Sequence, residues 1–78
     1  MSAVDFRGQR FEVLLVVDPP MALVSLGGAV QGCAEIVDGR VVANLSADGS
    51  STVSARTVAE VACRCGFAIG FPIAERGT

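Results

Sequence analysis

The stretch Cys33-Ala34-Glu35-Ile36-Val37-Asp38-Gly39-Arg40-Val41-Val42-Ala43-Asn44-Leu45 decides the fold. Two runs rich in valine, isoleucine and alanine flank Asp38-Gly39, and Asp-Gly in that setting signals a two-residue hairpin turn. Such a turn pairs Val37 with Arg40, Ile36 with Val41 and Ala34 with Ala43. One face of the hairpin then carries Ala34, Ile36, Val41, Ala43 and Leu45. The other carries Cys33, Glu35, Arg40, Val42 and Asn44. A slip of one residue would mix the two sets, so the pattern itself specifies the register.

Upstream, Arg10 to Asp18 alternates as a strand, with Phe11, Val13, Leu15 and Val17 on one face. The second face holds Arg10, Glu12 and Asp18 together with Leu14 and Val16, which predicts a central strand or one covered on both sides. Asp18-Pro19-Pro20 ends it. Met21–Leu26 has two readings. Asp18 and the prolines are able to open a helix, but Gly27-Gly28 follows too soon and forms a good hairpin turn, so strand–turn–strand is preferred. Residues 1–9 are polar and read as a loose lead-in.

Downstream, Ser46–Ser51 is a polar loop, and a helix is expected from about Val53 to Cys65. Val58, Val61, Ala62 and Cys65 recur at helical spacing, Ser50, Ser51, Thr52 and Ser54 are candidate caps, and Gly66 is the stop. Phe67, Ile69, Phe71 and Ile73 then alternate with Ala68, Gly70 and Pro72, which predicts a last strand at a sheet edge. The tail from Ala74 is expected to fray. The expected fold is a single α+β domain: an antiparallel sheet of four to five strands, one amphipathic helix on one face, in the order β-β-β-(β)-α-β. A ferredoxin-like β-α-β-β-α-β arrangement is the alternative if Met21–Leu26 is helical.

Composition narrows the chemistry. The 78 residues include no histidine, lysine, tyrosine or tryptophan, which removes the usual general base, amine nucleophile and phosphate clamp. Six arginines stand against eight acids, spread at positions 7, 10, 40, 56, 64 and 76 with no basic run. Direct nucleic-acid binding, which needs a concentrated positive footprint, is therefore not expected. No apolar stretch approaches the ~20 residues of a membrane span, and no signal-peptide pattern opens the chain, so a cytoplasmic protein with reduced thiols is expected.

Cys63-x-Cys65 has the wrong spacing for zinc, and residues i and i+2 of a helix point about 200° apart. No cofactor or metal is expected, and no base is available to activate a cysteine or serine nucleophile. The hydroxyl-rich segment Asp48-Gly49-Ser50-Ser51-Thr52 is expected to cap the helix in preference to binding an anion.

What remains is a protein whose surface is its activity. Two surfaces stand out: the edge strand, with Phe67, Ala68, Ile69 and Phe71, and an acidic set of Glu35, Asp38 and Asp48, with Glu12 nearby. A hairpin over Ala34–Leu45, a Ser/Thr-capped helix within Ser50–Gly66 and a last edge strand over Phe67–Ile73 resemble the architecture of small phage-encoded anti-CRISPR proteins. The resemblance lies in size and element order, covers about half the chain and transfers no functional residue. It implies a non-enzymatic inhibitor in a bacterial host cell that binds a Cas subunit or its effector complex. The competing expectations are a homo-oligomeric accessory subunit, with a homodimer through the edge strand, and a small-ligand-binding ferredoxin-like domain.

Overall fold

A computed structural model describes residues 1–74. Five strands come first: β1 (Ser2–Phe6), β2 (Gln9–Val16), β3 (Met21–Leu26), β4 (Ala29–Val37) and β5 (Arg40–Leu45). One helix follows, α1 (Ala55–Arg64). The strands form a single antiparallel sheet in chain order, β1-β2-β3-β4-β5, and α1 lies across one face. The α+β class and the single packed helix agree with the expectation.

Register follows hydrophobic pattern. Val37 pairs with Arg40, Ile36 with Val41 and Ala34 with Ala43, as the Asp-Gly turn requires. Met21–Leu26 is a strand, closed by Gly27-Gly28 against β4, so the ferredoxin-like alternative does not describe this chain. Three hairpin turns share one geometry: both central residues have positive φ at Arg7-Gly8 (52° and 80°), Gly27-Gly28 (60° and 84°) and Asp38-Gly39 (52° and 73°). That is the type I′ turn, whose twist matches the strands it joins.

Residues 1–9 are not a loose lead-in. They supply β1 and its turn, with Val4 opposite Phe11 and Phe6 opposite Gln9. The signal is hard to read because Arg-Gly stands where Asn-Gly or Asp-Gly is usual, and a left-handed arginine costs about 1–2 kcal/mol.

The core lies between sheet and helix. Phe11, Val13, Ala22, Val24, Ala34 and Val41 from the sheet meet Val58, Val61 and Ala62 from α1, all with no exposed surface. Alanine on both sides lets helix and sheet approach closely, and Phe6, Phe11 and Phe67 provide the aromatic bulk.

β4 contains a bulge. Val24 pairs with Gly32 but Ser25 pairs with Val30, leaving Gln31 as the extra residue. Its side chain is 2% exposed and organises the loop after β5. The Thr52 amide donates to Gln31 Oε1 (2.7 Å), Thr52 Oγ1 does so at 3.3 Å, and Gln31 Nε2 donates to the Ala29 carbonyl (3.3 Å). The Ser51 hydroxyl donates to the Gln31 carbonyl and accepts from the Ser46 amide at 3.1 Å. Ser51 and Thr52 thus bind the bulge, and Ser54 alone caps α1, accepting from the Thr57 amide at 3.1 Å.

Gly66 ends the helix as expected. The Gly66 amide donates to the Cys63 carbonyl and the Phe67 amide to the Ala62 carbonyl, the two bonds of a Schellman cap.

Phe67–Ile73 is not a strand. Residues 65–70 form successive turns, with positive φ at Gly66, Ala68 and Gly70. The repeated left-handed positions interrupt the alternation that suggested an extended segment. Only at its end does the chain pair, in parallel beside β5: the Val41 amide donates to the Pro72 carbonyl (2.8 Å) and the Ala74 amide to the Val41 carbonyl (2.9 Å). Most of the tail expected to fray, residues 75–78, lies outside the described residues.

Candidate functional site: an uncovered sheet face and an arginine cluster

Among the described residues, no element lies over the second face of the sheet. Leu14, Val16, Met21, Leu23, Cys33 and Val42 occupy its centre, in the cross-strand pairs Leu14–Leu23, Leu23–Cys33 and Val16–Met21. Leu14 is 42% exposed, and the others are half-buried by one another. Around them stand Asp5, Arg10 and Glu12 towards β1, and Glu35, Arg40 and Asn44 on β4 and β5. Arg10 pairs with Asp5 at 3.2 Å, and Asn44 donates to Glu35 at 3.2 Å. The mixed second face of β2 predicts a central strand or one covered on both sides. The first holds: β2 lies inside the sheet between β1 and β3, with α1 over one face.

A second arrangement joins residues far apart in sequence. The Phe6 ring, 7% exposed, has the Arg7 guanidinium 5.1 Å and the Arg64 guanidinium 4.9 Å from its centroid. Glu60, one turn before Arg64 on α1, lies 3.9 Å from Arg7 and 3.5 Å from Arg56. The β1–β2 turn delivers Arg7, and the helix delivers the other three. Spacings of 49 and 57 residues between Arg7 and the two helix arginines hide this cluster from any local motif.

The residues singled out from the sequence are dispersed. Asp38 sits in the β4–β5 turn and Asp48 in the loop beyond the other end of β5. Six residues of strand at ~3.4 Å each put about 20 Å between those two ends. Glu35 points from the open face and Glu12 lies on β2, two strands away from β4, so the four carboxylates do not converge. Asp48 is engaged locally: its carboxylate accepts from the Ser50 amide (3.0 Å) and hydroxyl (2.7 Å), which hold it below the usual carboxylate range.

Phe67 is buried and Ala68 packs against the core, while Ile69 and Phe71 are 83% and 44% exposed. The backbone of the Phe67–Ile73 segment covers part of the β5 edge and does not extend the sheet with a free one.

Chemistry at the three thiols is weak. Burial pushes each above the ordinary value of 9.0, with the charge of Glu35 adding at Cys33 and that of Glu60 at Cys63. Raised values leave little thiolate at neutral pH. Iodoacetamide is therefore expected to alkylate all three more slowly than a free cysteine at pH 7, with rates still rising at the pH where that of a free thiol has levelled off. A thiol that reacts at pH 7 as fast as free cysteine, by mass spectrometry, would contradict this.

Among the described residues, no three histidine, cysteine, aspartate or glutamate side chains are grouped to hold a metal ion. No described helix is long and apolar enough to cross a membrane. A shallow depression of about 320 Å³, lined by Arg10, Glu12, Gly27 and Gly28, opens beside the β3–β4 turn. Comparison with known proteins found no matching family model, no matching curated protein and no matching solved structure.

Proposed function

We propose that this chain is a non-enzymatic protein-binding module that acts by laying the open face of its sheet on a partner protein. The observation that carries the reading is the apolar centre Leu14–Leu23–Cys33 and Val16–Met21, framed by charge, on a sheet whose other face is sealed by α1. Five strands ~4.8 Å apart and about 20 Å long make a face of roughly 400 Å², apolar at its centre and charged at its rim.

A different protein suits this face better than a second copy. Its rim holds Asp5, Glu12 and Glu35 against Arg10 and Arg40, so stacking two copies would double an acidic excess. A partner with a basic rim around an apolar patch complements that excess.

The particular partner we propose is a subunit of a CRISPR-Cas complex, with the chain a phage or mobile-element inhibitor in the cytoplasm of a bacterial host. Size, a meander of hairpins and the capped helix support it. The turn-rich course of Phe67–Ile73 removes one of the three stretches on which the resemblance rests.

The test is Leu23→Glu, which sets a carboxylate in the middle of the open face. Tagged wild-type chain in a CRISPR-bearing host is expected to co-purify with a Cas subunit. The variant should lose about tenfold in affinity or more while remaining folded, since Leu23 lies on the uncovered face and outside the core. Retention of the partner by L23E would place the interface elsewhere. A wild-type dimer in sedimentation that L23E dissociates would assign the face to a second copy, and capture of no Cas subunit would remove the CRISPR reading.

A further inference from the structure

We propose that the junction of the β1–β2 hairpin and α1, built by Arg7 and Arg64 around Phe6, is a recognition site for an acidic segment of a partner protein. This rests on the protein-binding reading above and names a chemistry for a second contact.

The whole chain carries a net charge of −2, yet at this junction Arg7 and Arg64 stand together over the Phe6 ring, and among the described residues the only carboxylate within 4.0 Å of either is that of Glu60, which Arg56 also contacts. Glu60 is 3.5 Å from Arg56 and 3.9 Å from Arg7, so Arg56 holds the closer contact. Arg7 reaches Glu60 only at a distance beyond hydrogen bonding, and its side chain is 72% exposed. Arg64 is exposed and has no carboxylate within 4.0 Å among the described residues.

The ring contacts explain why these two cations are held together. A guanidinium over an aromatic face is attracted by the ring quadrupole and not through its N–H fork, so the donors remain available to a carboxylate. Phe6 is fixed in the core, and Arg64 is fixed on the last turn of a capped helix. Two forks on one rigid ring are thereby preorganised, which lowers the ordering cost of binding. The geometry suits two or more neighbouring carboxylates, since each fork accepts one in bidentate fashion.

A carboxylate-bearing segment is favoured over nucleic acid by two features of the site. Three arginines are a small footprint for a polyphosphate backbone. The single aromatic residue here is buried and flanked by cations, so no base has a ring to stack on.

The probe is a fluorescein-labelled oligoglutamate peptide, followed by anisotropy at low salt. An oligonucleotide of equal charge runs beside it. Wild-type chain is expected to bind the peptide more tightly than the oligonucleotide. The double variant Arg7→Gln/Arg64→Gln should lose about tenfold, whereas Arg40→Gln, on β5, should change little. In the unaltered protein, the side-chain Nε signals of Arg7 and Arg64 should shift on peptide titration ahead of that of Arg40, which keeps the test valid if the double variant folds poorly. Absence of peptide binding, equal loss in the Arg40 variant, or tighter binding of the oligonucleotide would overturn the proposal. Leu23→Glu should leave peptide binding unchanged, so a failure of the open-face reading and a failure of this one are read separately.

Discussion

Phe11→Ala is expected to lower the free energy of unfolding by about 3–5 kcal/mol, the range for deleting a buried aromatic side chain. Phe11 has no exposed surface, and it is flanked across the sheet by Val4 on β1 and Leu26 on β3. It therefore joins three strands on the helix side. Its neighbours in the core are mostly valine and alanine, which are too short to move into the space it leaves. A chain of 78 residues has a net stability of roughly 4–12 kcal/mol, so the variant should be partly unfolded well below the temperature that unfolds the parent. Urea denaturation checks this through a lower midpoint at unchanged slope. A loss below about 1 kcal/mol would mean that the core collapses onto the gap, contrary to the packing described.

Gly32→Ala is expected to cost about 3 kcal/mol, the upper end for overpacking, and to lower the thermal midpoint by on the order of 15 °C. The reason is space and not backbone conformation. A Cβ at position 32 would lie 2.5 Å from the Asn44 carbonyl oxygen and 3.3 Å from Leu45 Cα, both backbone atoms of the neighbouring strand. Relief requires β4 and β5 to part where Gly32 faces Leu45, next to the bulge that holds Gln31. The Ser46 amide, bonded to the Gln31 carbonyl at 3.1 Å, should then exchange with solvent faster than in the parent. An unchanged midpoint with unchanged exchange at Ser46 would show that the ladder opens at no cost.

Most of the sheet was legible because its signals are local. Asp38-Gly39 and Gly27-Gly28 announce their turns within two residues, and period-two alternation then sets which side chains face the helix. β1 was missed because its turn, Arg7-Gly8, has arginine where asparagine or aspartate usually marks the position. The segment after α1 misled for the opposite reason. Phe67, Ile69, Phe71 and Ile73 alternate like a strand, but glycines at 66 and 70 permit turns, and only the burial of Phe67 under the helix end decides between the two. The candidate surfaces were least legible. An apolar second face reads the same whether it is covered or bare, and a cluster joining positions 7, 56, 60 and 64 exists only once hairpin and helix meet.

The order of elements has a consequence for the chain as it is made. Every strand of the sheet pairs with the one synthesised immediately before it, so each hairpin is able to close as soon as its second arm leaves the ribosome. The lid, α1, ends at Arg64 and follows all five strands. Until then a growing sheet exposes Phe11, Val13, Val24 and Val41 on one side and Leu14 and Leu23 on the other. A chain that stops before the helix would leave both faces of the sheet bare, and a single ten-residue helix covers one of them.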